Sequence, residues 1–412
     1  MVIKMDKYEA LKYYYNYDQF RNNQEEIIDS LINGFDTLAI LSTGSGKSIC
    51  FQIPALISDG LTIVITPLIS LMQNQVLELK NKKISAQYIT SEMEYMEINS
   101  ILNEVKNGKI KLLYISPERL ENERYCAILR QLDISYLIID EAHCISVWGN
   151  DFRPSYKAIK TFISTLRKRP VIGAFTATAN RKVIDDIINT LCMCDEQIYK
   201  SSFDRKNLHY SVFKVKNKMG FLLKFLLSHD ELGIIYTLTR KESVTLYNKL
   251  KSLGFSVGVY HGGMDASEKE KNLLMFMKEE VKIMVATNAF GMGINKPNIR
   301  FIINYSIPLS MEDLSQQQGR CCRDGEEGVC VLLFNEEDIK TCEYFIKQTR
   351  CSDKQIQKEL IKDKYKQLKS VIDYAVTKKC YRQMMLQYFG ENAKNKCYNC
   401  LNCDKNNKRN KS

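Results

Sequence analysis

Nothing in the 412-residue sequence approaches the ~18 consecutive apolar residues of a membrane span, so no transmembrane segment is expected. An export signal is missing too: the start, MVIKMDKYEALKYYYNYDQF, is charged and holds no unbroken apolar core. Nor is there a secreted disulfide framework. Of 14 cysteines, ten are scattered, several inside apolar runs, and four gather near the C-terminus at metal-ligand spacing. A reducing, intracellular compartment follows: cytoplasm (nucleoid) in a bacterium, nucleus in a eukaryote. Negative charge is in short supply, with 48 Asp and Glu against 59 Lys and Arg, a formal +11. That excess suits a polyanionic partner. Part of it lies in the terminal KNNKRNKS, which reads as a basic disordered tail, 405–412.

What is present is a rhythm. Short apolar runs rich in β-branched residues alternate with amphipathic stretches, the pattern of α/β parallel sheets flanked by helices. Strands are expected at 37–41, 61–66, 110–116, 135–140 and 171–177, and again at 233–239, 257–261, 281–287, 299–305 and 329–334. The chain is too long for one core. The expected division is 1–206 and 207–335 as two parallel-sheet domains in tandem, then a small helical, Lys-rich subdomain, 336–404.

Open α/β sheets bind ligands beyond the carboxyl ends of their strands. After the first strand comes Ser42-Thr43-Gly44-Ser45-Gly46-Lys47-Ser48. Its glycines let backbone N–H groups turn toward phosphate oxygens, a following helix adds a positive terminus, Lys47 neutralises the outer phosphates, and Ser48 can ligate Mg²⁺. The strict pattern asks for glycine where Leu41 stands, a departure that matters little if the loop follows the variant x-x-T-G-x-G-K-S. Asp140-Glu141-Ala142-His143 ends another strand. There Asp140 can hold Mg²⁺ through water, and Glu141 can deprotonate the attacking water. Alone, each motif is ordinary loop text; together they describe a nucleotide-hydrolysis site.

Phosphoryl transfer also needs positive charge on the γ-phosphate, commonly from an arginine outside the P-loop domain. Arg320 and Arg323, three residues apart in QQQGRCCRDG, would share a face on one helical turn. If ATP draws two domains together and hydrolysis releases them, nucleic acid across both is gripped alternately, which makes a motor.

In this order the motifs resemble the RecQ helicases of superfamily 2, from about residue 10 to 404. The matching text includes F20-R21-x-x-Q24, TGSGKS, TPLISLMQNQV, YISPERL, DEAHCISVWGNDFRPSY, AFTATA, YHGGM, VATNAFGMGINKPNIRF and QQQGRCCRDG. The resemblance implies RecA-like domains, adenine recognition by Arg21 and Gln24, with Tyr17 grouped beside them at the ATP site, and 3′→5′ movement on DNA. It makes 143–156 the aromatic loop that senses DNA, in which His143, Trp148, Phe152 and Arg153 are DNA-contact candidates. The faces of Trp148 and Phe152 suit base stacking, and Arg153 suits a phosphate. Sequence-blind phosphate contacts are expected from Thr66, Ser70 and Gln73 in one domain and from Thr237 and Thr287 in the other. Departures from the family are Val147, Asn150, Lys269, Leu273 and Cys321-Cys322. Cys322 in place of glycine requires a backbone without positive φ there.

Cys397-x-x-Cys400-x-x-Cys403 with Cys380 offers four thiolates, and Zn²⁺ prefers such a closed tetrahedral set. An iron–sulfur cluster is the rival. It often uses a further Cys-Pro, and Asn407 occupies that place. The spacing matches the family's zinc module. The chain ends nine residues after Cys403. Larger family members continue into a winged-helix domain that helps part duplex strands, so a protein partner is expected to supply that task for an otherwise monomeric chain.

The expected function is an ATP-dependent DNA helicase using ATP, Mg²⁺ and Zn²⁺ on single-stranded and forked DNA, in repair, recombination or replication. Rival readings are an RNA helicase, and a DNA-binding or strand-annealing protein with an impaired motor.

Overall fold

The computed structural model describes residues 5–404 except 22, 43, 150, 151, 292–295 and 352, and excludes the Ser70 side chain. The tail 405–412, Thr43 and Asn150 thus lie outside the described residues. The chain divides into two compact units, Met1–Ser202 and Phe203–Ser412.

The first unit is built on seven parallel strands: β1 Thr37–Ile40, β2 Leu61–Ile65, β3 Ala86–Ile89, β4 Leu112–Ile115, β5 Ile134–Ile139, β6 Val171–Thr176 and β7 Gln197–Lys200. Their order is β3-β4-β2-β5-β6-β1-β7. The central strands bury every residue or nearly so, because helices cover both faces. That is why they read as unbroken apolar runs. β1 and β5 flank β6, so their ends lie roughly 10 Å apart, two strand spacings, and side chains from both can meet above β6.

The second unit holds six parallel strands: β8 Leu208–Lys214, β9 Gly233–Tyr236, β10 Val257–Tyr260, β11 Ile283–Ala286, β12 Phe301–Asn304 and β13 Gly328–Phe334. Their order is β10-β11-β9-β12-β13-β8. Three strands escape the apolar-run pattern: β3, β7 and β8. Each is an edge strand; β3 (AQYI) and β7 (QIYK) have outer positions that face water, whereas β8 (LHYSVFK) is covered by the C-terminal segment and its His209 bonds Asp404.

The C-terminal helices, Glu336–Lys347, Lys354–Val376 and Tyr381–Tyr388, share their core with the second sheet. Leu208, Tyr210 and Leu332 pack in one cluster with Tyr374, Cys380, Cys400 and Cys403. A backbone bridge from Tyr210 to Cys400 adds to this.

Candidate functional site

The loop after β1 turns on two glycines in the left-handed region, Gly44 at φ +86° and Gly46 at φ +83°. A side chain at Gly46 would place its Cβ 2.4 Å from Gln24 Nε2, so the position demands glycine twice over. The helix Lys47–Ile57 starts directly behind it, with no side-chain cap on its first N–H groups. Those donors and the helix dipole are therefore available to an anion. Lys47 and Ser48 occupy the first turn. Ser45 Oγ is buried with no hydrogen-bond partner among the described residues.

Gln24 and Arg21 brace this loop. Gln24 Nε2 donates to Ser45 O (3.1 Å) and Gly46 O (3.2 Å), and Arg21 Nη1 donates to Gly44 O (3.3 Å). Gln24 Oε1 in turn accepts from Arg21 N at 2.8 Å. Tyr17 stands at the surface, 48% exposed.

The acidic motif closes over the loop. Asp140 and Glu141 are both buried, and Glu141 holds a left-handed φ of +48°, a strained choice for a residue with a Cβ. Its carboxylate lies 3.9 Å from Lys47 Nζ and 3.4 Å from His143 Nδ1. His143 Nδ1 also lies 3.0 Å from Thr176 Oγ1 at the end of β6. Burial pushes the Asp140 carboxyl up to about 6. The Glu141 charge adds to this, while Lys47 and the Glu141 N–H oppose it. Tyr156 OH donates to Asp140 O at 3.1 Å, closing segment 140–156 on itself.

Within that segment Trp148 and Phe152 are half-buried. The Lys182 ammonium lies 3.9 Å from the centre of the Trp148 ring, and Lys157 sits 6.0 Å from Phe152. Arg153 Nη1 donates to Pro67 O at 2.8 Å. Gln73 is exposed on the helix Ile69–Asn81, and Thr287 is half-buried after β11.

Three residues expected to contact DNA are buried in this structure. Thr66 is fully buried, with Oγ1 turned into the protein. Thr237 is buried against Ser243 Oγ. His143 is buried between Glu141 and Thr176, so it touches the Glu141 carboxylate rather than the surface. Thr66 and Thr237 directly follow strands and His143 lies in the short helical turn Ala142–Ile145 after β5, but in each case the polar atom points inward. Lys182 had no sequence signal of its own, and Thr176 was legible only as part of AFTATA, with no role assigned to it.

In the second unit, the helix Met311–Gln318 ends before the two arginines, which lie in a turn instead of on a shared helical face. Arg320 is buried and donates to Gly291 O. Any side chain at Gly291 would collide with the Arg320 guanidinium, the nearest atom being 2.4 Å away. Burial, then the charges of Arg320 and Arg205, pull Arg323 down to about 9. A guanidinium so disfavoured as a cation gains unusually much from an anion. Cys322 adopts φ +46°, against the expectation that its backbone would avoid positive φ. The strain is of order 1–2 kcal/mol and is carried by the fold.

The four thiols of Cys380, Cys397, Cys400 and Cys403 all lie within 4.8 Å of one another, and two pairs stand 3.9 Å apart. Four sulfurs at 2.3 Å around a tetrahedral Zn²⁺ would be ~3.8 Å apart, so the set fits that ion. Hydrogen bonds from Cys397 and Cys400 hold the Cys380 thiol far below its ordinary range, which favours the thiolate a metal needs.

Three family models match in order: DEAD/DEAH box helicase over residues 21–187, helicase conserved C-terminal domain over 217–325, and RecQ zinc-binding over 336–404. An ATP-dependent DNA helicase RecQ of Bacillus subtilis is 43% identical over 395 residues, covering 95% of this chain and 66% of that one. The Pasteurella multocida protein of the same description is 37% identical over 402 residues, covering 97% and 62%. The chain thus spans a little under two thirds of the length of these relatives. Among solved structures, Saccharomyces cerevisiae Dbp5 bound to RNA and ADP BeF3 aligns with a TM-score of 0.65 at 18% identity, covering 88% of this chain and 97% of that one, a likeness of fold. Motif order, the two parallel sheets and the thiol cluster agree with these matches: the chain belongs to the RecQ family of superfamily 2 helicases.

Proposed function

We propose that this chain hydrolyses ATP to drive 3′→5′ movement along single-stranded DNA, unwinding duplex as it moves, in repair, recombination or replication. One observation carries the reading. Glu141 sits between Lys47 of the phosphate loop and His143, which opens the segment bearing Trp148 and Phe152. A change in that segment on DNA binding therefore reaches the hydrolytic carboxylate through a single side chain.

In this mechanism the N–H groups of the loop after β1 and the helix terminus at Lys47 take the phosphates. Lys47 leaves Glu141 for the phosphate oxygens, which frees Glu141 to take a proton from the attacking water. Ser48 and Asp140 are the residues to hold Mg²⁺, which neutralises phosphate charge. Arg320 and Arg323 meet the charge that develops on the transferred group. Arg21 and Gln24 orient the base. Gln73, Trp148, Phe152, Arg153 and Thr287 are the DNA-facing set, and Zn²⁺ on the four thiols is structural.

The test is ATP turnover with single-stranded DNA, with RNA of the same sequence and with neither, beside unwinding of a forked duplex. Stimulation many-fold by DNA, and unwinding with ATP but not with a non-hydrolysable analogue, is the expected result. Stimulation by RNA alone would make the substrate RNA. DNA binding without stimulated turnover would leave a binding or annealing protein.

A further inference from the structure

The turn that carries Arg320 and Arg323 is held from outside itself. Once the helix Met311–Gln318 ends, the carbonyls of residues 319–322 have no helical donors. Arg205 supplies donors to three of the four: Nη1 donates to Gly319 O (3.1 Å), and Nη2 to Cys321 O (2.9 Å) and Cys322 O (2.9 Å). Asn207 Nδ2 adds bonds to Cys322 O (3.1 Å) and Glu326 O (2.7 Å). These donors converge on the one residue of the turn that is not glycine yet sits at positive φ, Cys322. Such strain persists only where the surroundings over-determine it.

Arg205 is in turn fixed by a second arginine. Arg382, buried on the helix Tyr381–Tyr388, donates to Asp204 Oδ1 (2.6 Å), Arg205 O (2.7 Å), Lys206 O (3.3 Å) and Leu208 O (2.7 Å). Cys380 caps that helix, and Asn399, between two other thiols of the cluster, donates to Lys206 O at 3.1 Å. A continuous run of hydrogen bonds thus leads from the thiol-bearing segments through residues 204–208 to the turn.

We propose that Arg205, backed by Arg382, is a positioning residue for Arg320 and Arg323, setting where their guanidinium groups stand when ATP is hydrolysed. Simple stabilisation of the turn does not explain the choice of residue. Arg205 brings a third positive charge beside Arg320 and Arg323, which a neutral amide would not. What arginine adds is a rigid planar fork that reaches three carbonyls at once. The inference rests on the catalytic reading of Arg320 and Arg323 given above.

The experiment compares Arg205→Lys, Arg323→Ala and the double variant in DNA-stimulated ATP hydrolysis by the full chain. Lysine keeps the charge and loses the fork. Arg205→Lys is expected to lower kcat ~10²-fold, the scale of a 1 Å misplacement. The KM for ATP and the affinity for a non-hydrolysable analogue should stay within about twofold, since positioning acts on the transition state. The double variant should be slower than Arg323→Ala by clearly less than the Arg205→Lys loss, because the part of that loss that runs through Arg323 is already gone and only the share through Arg320 remains. Should Arg205→Lys fail to fold, Asn207→Ala takes its place, with a kcat loss of about tenfold at unchanged KM. Wild-type kcat in the folded variant, or losses that multiply in the double variant, overturns the proposal while leaving the arginine reading standing. Full turnover in Arg323→Ala removes both.

Discussion

The Lys47 ammonium lies 3.9 Å from the Glu141 carboxylate, so the two groups that ATP would have to separate hold each other across β6. Glu141→Gln removes the base while keeping the shape. We expect ATP turnover to fall at least ~100-fold, with nucleotide affinity unchanged or tighter because Lys47 loses its internal competitor. Lys47→Ala should instead lose affinity itself. Titration with a fluorescent ATP analogue, run beside turnover, checks both.

Asp140 makes the site costly when it is empty. Its carboxyl stands at about 6 in the fold against an ordinary 3.8, so between these values the native state holds the proton more tightly than the unfolded chain. Stability therefore falls as pH rises from ~4 to ~6, by on the order of 2–3 kcal/mol, and stays lower above. Asp140→Asn should abolish hydrolysis yet raise the Tm of the Mg²⁺- and nucleotide-free protein at pH 7.5 by a few degrees. At pH 4.5 the gain should shrink to about a third, and at pH ~3 it should be gone. A Tm at or below wild type at pH 7.5 would count against a buried, ionised Asp140.

Trp148 is the sole tryptophan, which makes it a built-in reporter of the segment that follows His143. Base stacking on its ring has to contend with the Lys182 ammonium already there. Adding single-stranded DNA should change its emission, and Trp148→Ala should weaken DNA binding by ~1–3 kcal/mol. Unaltered emission at saturating DNA would mean that the ring is not a stacking platform.

Chelation of zinc should melt the second unit and spare the first. The cluster shares a core with the second sheet, and structural Zn²⁺ contributes ~10–16 kcal/mol in small modules, as large as a whole domain's stability of ~5–15 kcal/mol. Calorimetry should then lose one transition, while Trp148 fluorescence keeps reporting a folded first unit. Cys400→Ser should reproduce the loss without chelator.

Much of the chemistry was legible because it is local. A strand, two glycines and a lysine make a phosphate cradle within ten residues, and three cysteines at intervals of three converge with little help from the rest of the chain. Buried strands announce themselves through unbroken apolar runs. Edge strands β3 and β7 do not, because water on one side permits polar residues, and β8 does not because its polar His209 and Ser211 find partners in the fold.

Direction and distance were decided only in three dimensions. Thr66 and Thr237 directly follow strands and His143 sits in the turn after β5, but whether a hydroxyl or imidazole faces solvent depends on how the next loop packs. Cys322 could be left-handed because Arg205 and Asn207, more than a hundred positions away, hold its carbonyl. Arg205 and Arg382 look like surface text in one dimension. Chain sequence specifies which groups exist and what their neighbours allow, whereas a buried guanidinium finds its carbonyls only when distant segments have condensed around it.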